Sequence, residues 1–308
     1  MNQEYAFLKD IPGSEHFKST TTVGGGWSSD IKFHIETDDG KHFLMRVSDI
    51  AQLDKKRKEY DVLQKLAGTG INYSKPYLFG TSQKHGIVYM ILDWIDGDNV
   101  EIMMPKLSKE KQYECGFTAG KYLRRMHQID GKVDIEAWRN KNLKKLNERL
   151  ELLKQCEDRY HMNHLEEMVA FINNNMDCLE NRKMVFLHGD YQGRNIVVDV
   201  DGTVGVIDFE RTAEGDGYEE FNRMMTYTRK WSVDFCKGQI DGYFDGEEIP
   251  ELFWRCNAFH CALNLITTIA FGVYNNKEEI YTENQESSDI IFDDLDGYTN
   301  LIPSWYRK

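Results

Sequence analysis

This 308-residue chain contains no run of about 20 uninterrupted apolar residues, the length that a membrane-crossing helix requires. The nearest candidate, Ala258 to Tyr274, is interrupted by His260 and Asn264 and reads as a buried helix of a soluble protein. The opening MNQEYAFLKD lacks the basic-then-apolar order of an export signal, so neither membrane nor secretion is expected. The six cysteines, at 115, 156, 178, 236, 256 and 261, have no framework spacing and fit free thiols of a reducing cytoplasm. Cys256, His260 and Cys261 could form one corner of a metal site, but no second ligand pair accompanies them, and core packing is the simpler reading. Basic residues are also in deficit: the net charge of −13 disfavours a nucleic-acid partner, whose phosphates are held by basic surfaces. The hydrophobic content of 41 % is ample for one large domain or two lobes sharing a cleft.

The charge is unevenly placed. Residues 1–183 carry 28 acidic and 28 basic side chains, whereas residues 184–308 carry 23 acidic and 10 basic. The excess therefore lies wholly in the last 125 residues. A cationic small molecule would be drawn to such a half, and a solvated acidic surface that maintains solubility has the same composition. Nothing in the sequence indicates an oligomeric state.

From Thr20 the chain reads TTTVGGGWSSDIKFHIETDDGKHFLMRVS: strand, glycine loop, strand, a tight turn at Asp39-Gly40, and strand. Helical spacing of Tyr60, Leu63, Leu66 and Ala67 predicts a helix from Asp54 to Ala67 that stops at Gly68. A buried strand, GIVYMIL, follows and leads into DWIDGD, an acidic, glycine-containing hinge. Helical patterns dominate from Leu107 to about Asn181. Short strands and turns return in MVFLHGDYQGRNIVVDVDGTVGVIDFE, and the remainder is mainly helical. The expectation is an α+β fold of two lobes: residues 1–93 as a β-rich N-terminal lobe with one helix, 94–97 as a hinge, and 98–308 as a larger, mainly helical lobe.

Within the second strand-and-turn region, Asp190 and Asn195 stand five residues apart on a loop after a buried strand. Thirteen residues later Asp208 closes another strand. Phosphoryl transfer requires metal-held phosphates and a carboxylate beside the attacking hydroxyl, and an Asp and an Asn offer the oxygen ligands that Mg²⁺ prefers. Asp190 is read as the base, with Asn195 and Asp208 as metal ligands.

HGDYQGRN and IDFE resemble the paired motifs of the aminoglycoside phosphotransferase and choline kinase superfamily, relatives of protein kinases, and the similarity extends over most of the chain. The resemblance implies a two-lobed protein-kinase-like fold that transfers the γ-phosphate of ATP or GTP, with Mg²⁺, to a hydroxyl. It gives Asp190 the role of orienting and deprotonating that hydroxyl, and Asn195 and Asp208 the metal. It makes the turn containing Gly25, Gly26, Ser28 and Ser29 a phosphate cover, although GK[ST] is missing and no helix follows. It puts Arg46 where many relatives have a phosphate-clamping lysine, with Glu59 as its helix partner, and makes Asp93, Trp94 and Ile95 of the hinge nucleotide contacts. The helix closing in Leu123-x-x-x-His127 resembles a family helix, and its histidine is read as structural. His188 is read as a buttress of the loop.

Gln192 replaces the lysine of a protein kinase, and no Ala-Pro-Glu segment follows Asp208, so the acceptor is expected to be a small molecule. An aminoglycoside-like polycation is favoured by the acidic half, with carboxylates near Asp216, 241–248 and 278–296 as candidates to line its path. Choline, a sugar or an amino-acid derivative is the alternative. A kinase fold retained only for nucleotide binding is disfavoured because base and metal ligands are all present. A two-metal phosphohydrolase lacks its ligand cluster.

Overall fold

The computed structural model describes residues 3–24, 29–158 and 160–307. The chain divides into two units, Met1–Asp96 with Gly205–Glu210, and Gly97–Val204 with Arg211–Lys308.

The first unit is built on a five-stranded antiparallel sheet of β1 (Phe17–Val23), β2 (Ile31–Thr37), β3 (His42–Asp49), β4 (Pro76–Ser82) and β5 (Ile87–Asp93), in the order β1-β2-β3-β5-β4. The β2–β3 hairpin turns at Asp39-Gly40, where Gly40 adopts φ +78° and Thr37 Oγ1 donates to Asp39 Oδ1 at 2.6 Å. Period-two alternation sends Phe33 and Ile35 of β2, Phe43, Met45 and Val47 of β3, and Tyr89 and Ile91 of β5 into one apolar core closed by Phe7 and Ile11. Arg46 consequently faces the other way. Helix α1 (Leu53–Lys65) packs against β4 and β5. Its buried stripe differs from the expected apolar one: Ala67 is exposed, Tyr60 half-buried, and the inward positions are Lys56, Glu59, Leu63 and Leu66. Gly205–Glu210 groups with this unit and not with the C-terminal segment that surrounds it in sequence. The joint is backbone: Val206 N donates to Asn72 O at 2.9 Å and Ser74 N to Val206 O at 3.3 Å.

The second unit begins with β6 (Asp98–Asn99) and the short α2 (Val100–Met103), followed by α3 (Lys109–Met126), α4 (Ile135–Gln155) and α5 (Leu165–Asn174). Strands β7 (Met184–Leu187) and β8 (Ile196–Val198) flank the HGD loop. Strand β9 (Val204–Val206), which passes into the first unit at Gly205, leads to Asp208, and in the second unit β10 (Ala213–Asp216) pairs antiparallel with β7. Helices α6 (Phe221–Thr226), α7 (Val233–Phe244), α8 (Glu251–Tyr274) and α9 (Glu278–Asp294) complete it. By length and composition α8 could cross a membrane, yet 78 % of its most apolar window is buried, as a core helix requires.

Helices α3 and α7 meet backbone to backbone. Gly116 and Gly120 of α3 oppose Gly238 and Gly242 of α7, and a Cβ on any of the four would collide with a main-chain carbonyl of the facing helix. Small residues four apart on both helices permit that approach, a signal visible in the sequence but not read from it. Gly120→Val is accordingly expected to destabilise the chain by at least about 1–3 kcal/mol. Urea unfolding checks this: an unchanged midpoint would mean that the helices can separate without cost.

Candidate active site

In the first unit the chemistry collects around Arg46. Leaving the apolar core on the opposite face of β3, its guanidinium donates through Nε to Asp30 Oδ2 at 2.9 Å and also pairs with Glu59 and Glu210. Lys56, one turn before Glu59 on α1, joins the same carboxylates, its Nζ lying 2.6 Å from Asp30, 3.0 Å from Glu210 and 3.4 Å from Glu59. The side chains of Arg46 and Lys56 are only 5 % and 4 % exposed. Burial alone would raise the pKa of Asp30, but Arg46, Lys56 and Ser48 outweigh it and hold the carboxyl at about 2. Burial would likewise lower the pKa of Arg46, and Glu59 and Asp30 overcome this and raise it. Removing one partner from such a network leaves charge buried without a counter-ion, which is far costlier than losing a surface pair. The Arg46–Glu59 pair that the resemblance implies is thus present, within a larger network. Asp30, at the exit of the glycine turn, Lys56 and Glu210 have no local sequence signature that marks them as its members.

On the phosphate contact that the family resemblance implies for Arg46, Arg46→Ala is expected to raise the apparent nucleotide constant well above any change in the acceptor constant, by ~10-fold or more, because such a charge-assisted contact is worth about 1.5–3 kcal/mol. Steady-state kinetics with each substrate varied in turn checks it, and equal changes in both constants would remove Arg46 from the nucleotide.

Gly25, Gly26 and Ser28 lie outside the described residues; Ser29 follows them, exposed. Asp93 N donates to Lys75 O at 2.8 Å, and Trp94 N to His42 O at 3.2 Å. The Trp94 ring lies 4.4 Å from that of His34, and Ile95 fills the space that Gly205 leaves without a side chain. Asp208 is exposed, has no hydrogen-bond or ion-pair partner among the described residues, and sits at φ +65°. A non-glycine residue held in the left-handed region is strained, and an unengaged carboxylate oxygen of this kind suits a hard cation.

In the second unit, β7 ends at Leu187 and the loop begins. Gly189 has φ +80°, and a Cβ there would strike the Arg211 carbonyl, so only glycine allows the turn. The buried carboxylate of Glu220 accepts from His188 N at 2.6 Å and Gly189 N at 2.8 Å, anchoring the turn from beneath. Burial pushes the Glu220 carboxyl up to about 8, against the two amide donors that favour its ionised form. Asp190 N donates to His188 Nδ1 at 3.2 Å, which is how His188 braces the loop. The Asp190 carboxylate then receives Gln192 Nε2 at 3.0 Å on one oxygen and Asn195 Nδ2 at 3.2 Å on the other. Asn195 Nδ2 also bonds Asp190 O at 2.9 Å, so its amide oxygen is the atom left for a cation. Two guanidiniums face the carboxylate: Arg223 at 3.7 Å and Arg211 at 3.9 Å. Tyr191, wholly buried, ties the loop to α3 through its hydroxyl, which donates to Ala119 O at 2.7 Å. The spacing of Asp190 and Asn195 was readable; Glu220, Arg211 and Arg223 come from distant sequence and were not.

Other candidates have structural occupations. Asp216, expected on the acceptor's path, is buried in a bidentate pair with Arg182 at 2.8 and 2.9 Å and lies 3.3 Å from His260 Nε2. That pair also accounts for His260, and Cys256 Sγ donates to Cys178 O, so no metal corner forms. No cluster of three or more such side chains able to hold a metal occurs among the described residues. Glu214 accepts from Lys132 N and Val133 N, and His127 Nδ1 meets the Tyr243 hydroxyl at 2.9 Å inside the core.

Residues 19–253 match the sequence profile described as the phosphotransferase enzyme family. No curated protein matches the chain. Among solved structures, the GDP complex of wild-type aminoglycoside 2'-phosphotransferase-IIIa aligns with TM-score 0.67 at 15 % identity, covering 92 % of this chain and 95 % of that one. The gentamicin complex of APH(2")-IIa gives 0.61 at 15 % identity over 93 % and 96 %. An amicoumacin kinase bound to AMP-PNP, Ca²⁺ and Ami gives 0.60 at 12 % over 94 % and 91 %. Likeness at such identities establishes a common kinase-like fold.

Proposed function

Since the chain belongs to the phosphotransferase enzyme family, we propose that it moves the γ-phosphate of ATP or GTP, carried with Mg²⁺, onto a hydroxyl of a small molecule. The observation that carries this reading is the Asp190 carboxylate, oriented by Gln192 and Asn195 on a loop anchored by Glu220. An acceptor hydroxyl placed against it transfers its proton to Asp190 as its oxygen bonds to the γ-phosphorus. The bond to the bridging oxygen breaks and the nucleoside diphosphate leaves. Asn195 and Asp208 are the proposed metal ligands, offering an amide oxygen and an unengaged carboxylate; the ion would neutralise charge on the phosphates. Arg46, with Glu59 setting its orientation, is the proposed phosphate contact. The glycine turn is the proposed phosphate cover, and residues 93–95 are the proposed hinge contacts to the nucleotide. Nucleotides in the neighbouring structures, GDP and AMP-PNP, support the donor class. Six buried cysteines that form no disulfide among the described residues support a cytoplasmic setting.

For the acceptor, the gentamicin of one neighbour supports an aminoglycoside-like polycation. Several of the carboxylates expected to line such a path argue against it, because local partners engage them. Asp241 accepts from Tyr113 and Tyr306, Glu247 pairs with Arg124, Asp289 with Asn163 and His164, Asp294 with Arg229, and Asp296 with Arg307. Phosphate incorporation from labelled ATP or GTP into a panel of hydroxylated small molecules, with and without Mg²⁺, tests the proposal. Incorporation without Mg²⁺, or none into any alcohol, would refute it.

A further inference from the structure

The charges nearest the proposed base are positive. Arg223 Nε lies 3.7 Å and Arg211 Nη1 3.9 Å from the Asp190 carboxylate, too long for direct hydrogen bonds, so their donors are not consumed by it. Along α4, Lys141, Lys145 and Arg149 recur every fourth residue and so share one face. Among the described residues, none of these three makes an ion pair, and Arg211 and Arg223 have Asp190 as their sole carboxylate partner within 4.0 Å. Both α4 and α6, which carries Arg223, pack on α8. The Nε of Arg149 is shielded from solvent without any hydrogen bond. The mutual closeness of these cations registers on Lys145. Although the Lys145 side chain is exposed, its ammonium is held below the usual lysine range, by desolvation first, with Glu219 opposing and Arg149, Arg223 and Lys141 adding to the fall. Glu219, Asp190 and the buried Glu220 beneath the loop are the carboxyl groups beside this cluster, and three acidic groups stand against five cations.

An uncompensated cluster of this kind is repulsive, and an arginine with open donors beside a second cation is matched by a planar or tetrahedral oxyanion. The geometry points to an acceptor that carries an anionic group, a carboxylate or a phosphate, bound by Arg223, Lys145 and Arg149 while its hydroxyl is presented to Asp190. This rests on the phosphotransferase reading and names its substrate class. Arg223 and Arg211 make the field positive beside the Asp190 carboxylate, and the α4 stripe, which with Arg223 binds the anion, extends that field outward. It also gives the strongly acidic chain a locally positive entry, which repels the polycations that the overall charge would attract.

The test separates binding from turnover. With the nucleotide site saturated by ADP and Mg²⁺, calorimetry measures binding of D-gluconate and glycerol 3-phosphate beside uncharged glucitol and cationic choline and kanamycin. The anionic probes are expected to bind at least ~10-fold more tightly than the uncharged or cationic ones, and Lys145→Ala and Arg149→Ala to weaken them ~10-fold or more each, as loss of a charge-assisted contact predicts. The exposed-helix variant Lys145→Glu should repel both anionic probes while keeping its helical circular dichroism. Absence of binding by either anionic probe, tighter binding of choline or kanamycin, or indifference to all three substitutions overturns the inference. Failure of the phosphotransferase reading has a different signature: anion binding persists, but no phosphate is transferred to the bound hydroxyl compound and Asp190→Asn changes nothing.

Discussion

Replacing Asp190 with alanine is expected to lower turnover at least ~100-fold while the Mg²⁺-nucleotide still binds, because general-base assistance is lost from the transition state and not from the ground state. Three features make this side chain the sensitive point. Its two oxygens are each addressed by an amide donor, from Gln192 and from Asn195, and its loop is fastened by the two backbone bonds to Glu220. Asp208→Ala should behave oppositely, weakening Mg²⁺-nucleotide binding itself, since Asp208 is the exposed carboxylate with no protein partner among the described residues. Single-turnover kinetics beside equilibrium nucleotide binding distinguishes the two. Near-normal turnover of Asp190→Ala on a true acceptor would remove it as the base.

The second large effect concerns stability. Asp216→Ala should cost about 3–5 kcal/mol, because it strands the buried charges of Arg182 and His260 without their counter-ion. Burial would raise the Asp216 carboxyl, but His260 and Arg182 hold it at about 2. Burial would lower the His260 imidazole, yet Asp216 and Glu219 raise it, with Arg182 opposing. The signs set a window. The carboxylate's contribution is complete above its ordinary 3.8 and is lost as pH falls towards 2. That of protonated His260 is complete below its ordinary 6.5 and is lost as pH rises through the raised value. Stability from this network should therefore be greatest between about pH 4 and 6.5. His260→Gln should flatten the alkaline fall and weaken the acid limb without abolishing it, since Arg182 still holds the Asp216 carboxyl low. Thermal unfolding across the pH range checks both, and an Asp216→Ala midpoint equal to that of the parent would show the network to be energetically idle.

Legibility in the sequence followed the range of the forces involved. The alternation of Phe43, Met45 and Val47 announces β3 because a strand exposes alternate faces, and it puts Arg46 on the far side without further information. The loop spacing of Asp190 and Asn195 is likewise local, and their hydrogen bonds close within five residues. The helical spacing on α1 locates the helix but not all its buried positions: Lys56 and Glu59 are buried with Asp30 and Glu210, which lie up to 154 residues away. A helix pattern carries no sign of such partners.

The acidic C-terminal half shows the same limit more plainly. A net charge can be counted from composition, but its field depends on which carboxylates are matched, and Arg124, Arg182, Arg229 and Arg307 match several of them only in three dimensions. By itself the sequence determined the strand faces, the helix-rich second half, the catalytic-loop spacing and the family resemblance, all of which arise from periodicity or from residues close in the chain. The tertiary structure alone decided that Gly205–Glu210 joins the first unit, that Glu220 fastens the base's loop, and that Arg211 and Arg223 face Asp190. Each of these depends on backbone or ionic contacts between segments tens to hundreds of residues apart, for which local propensity holds no record.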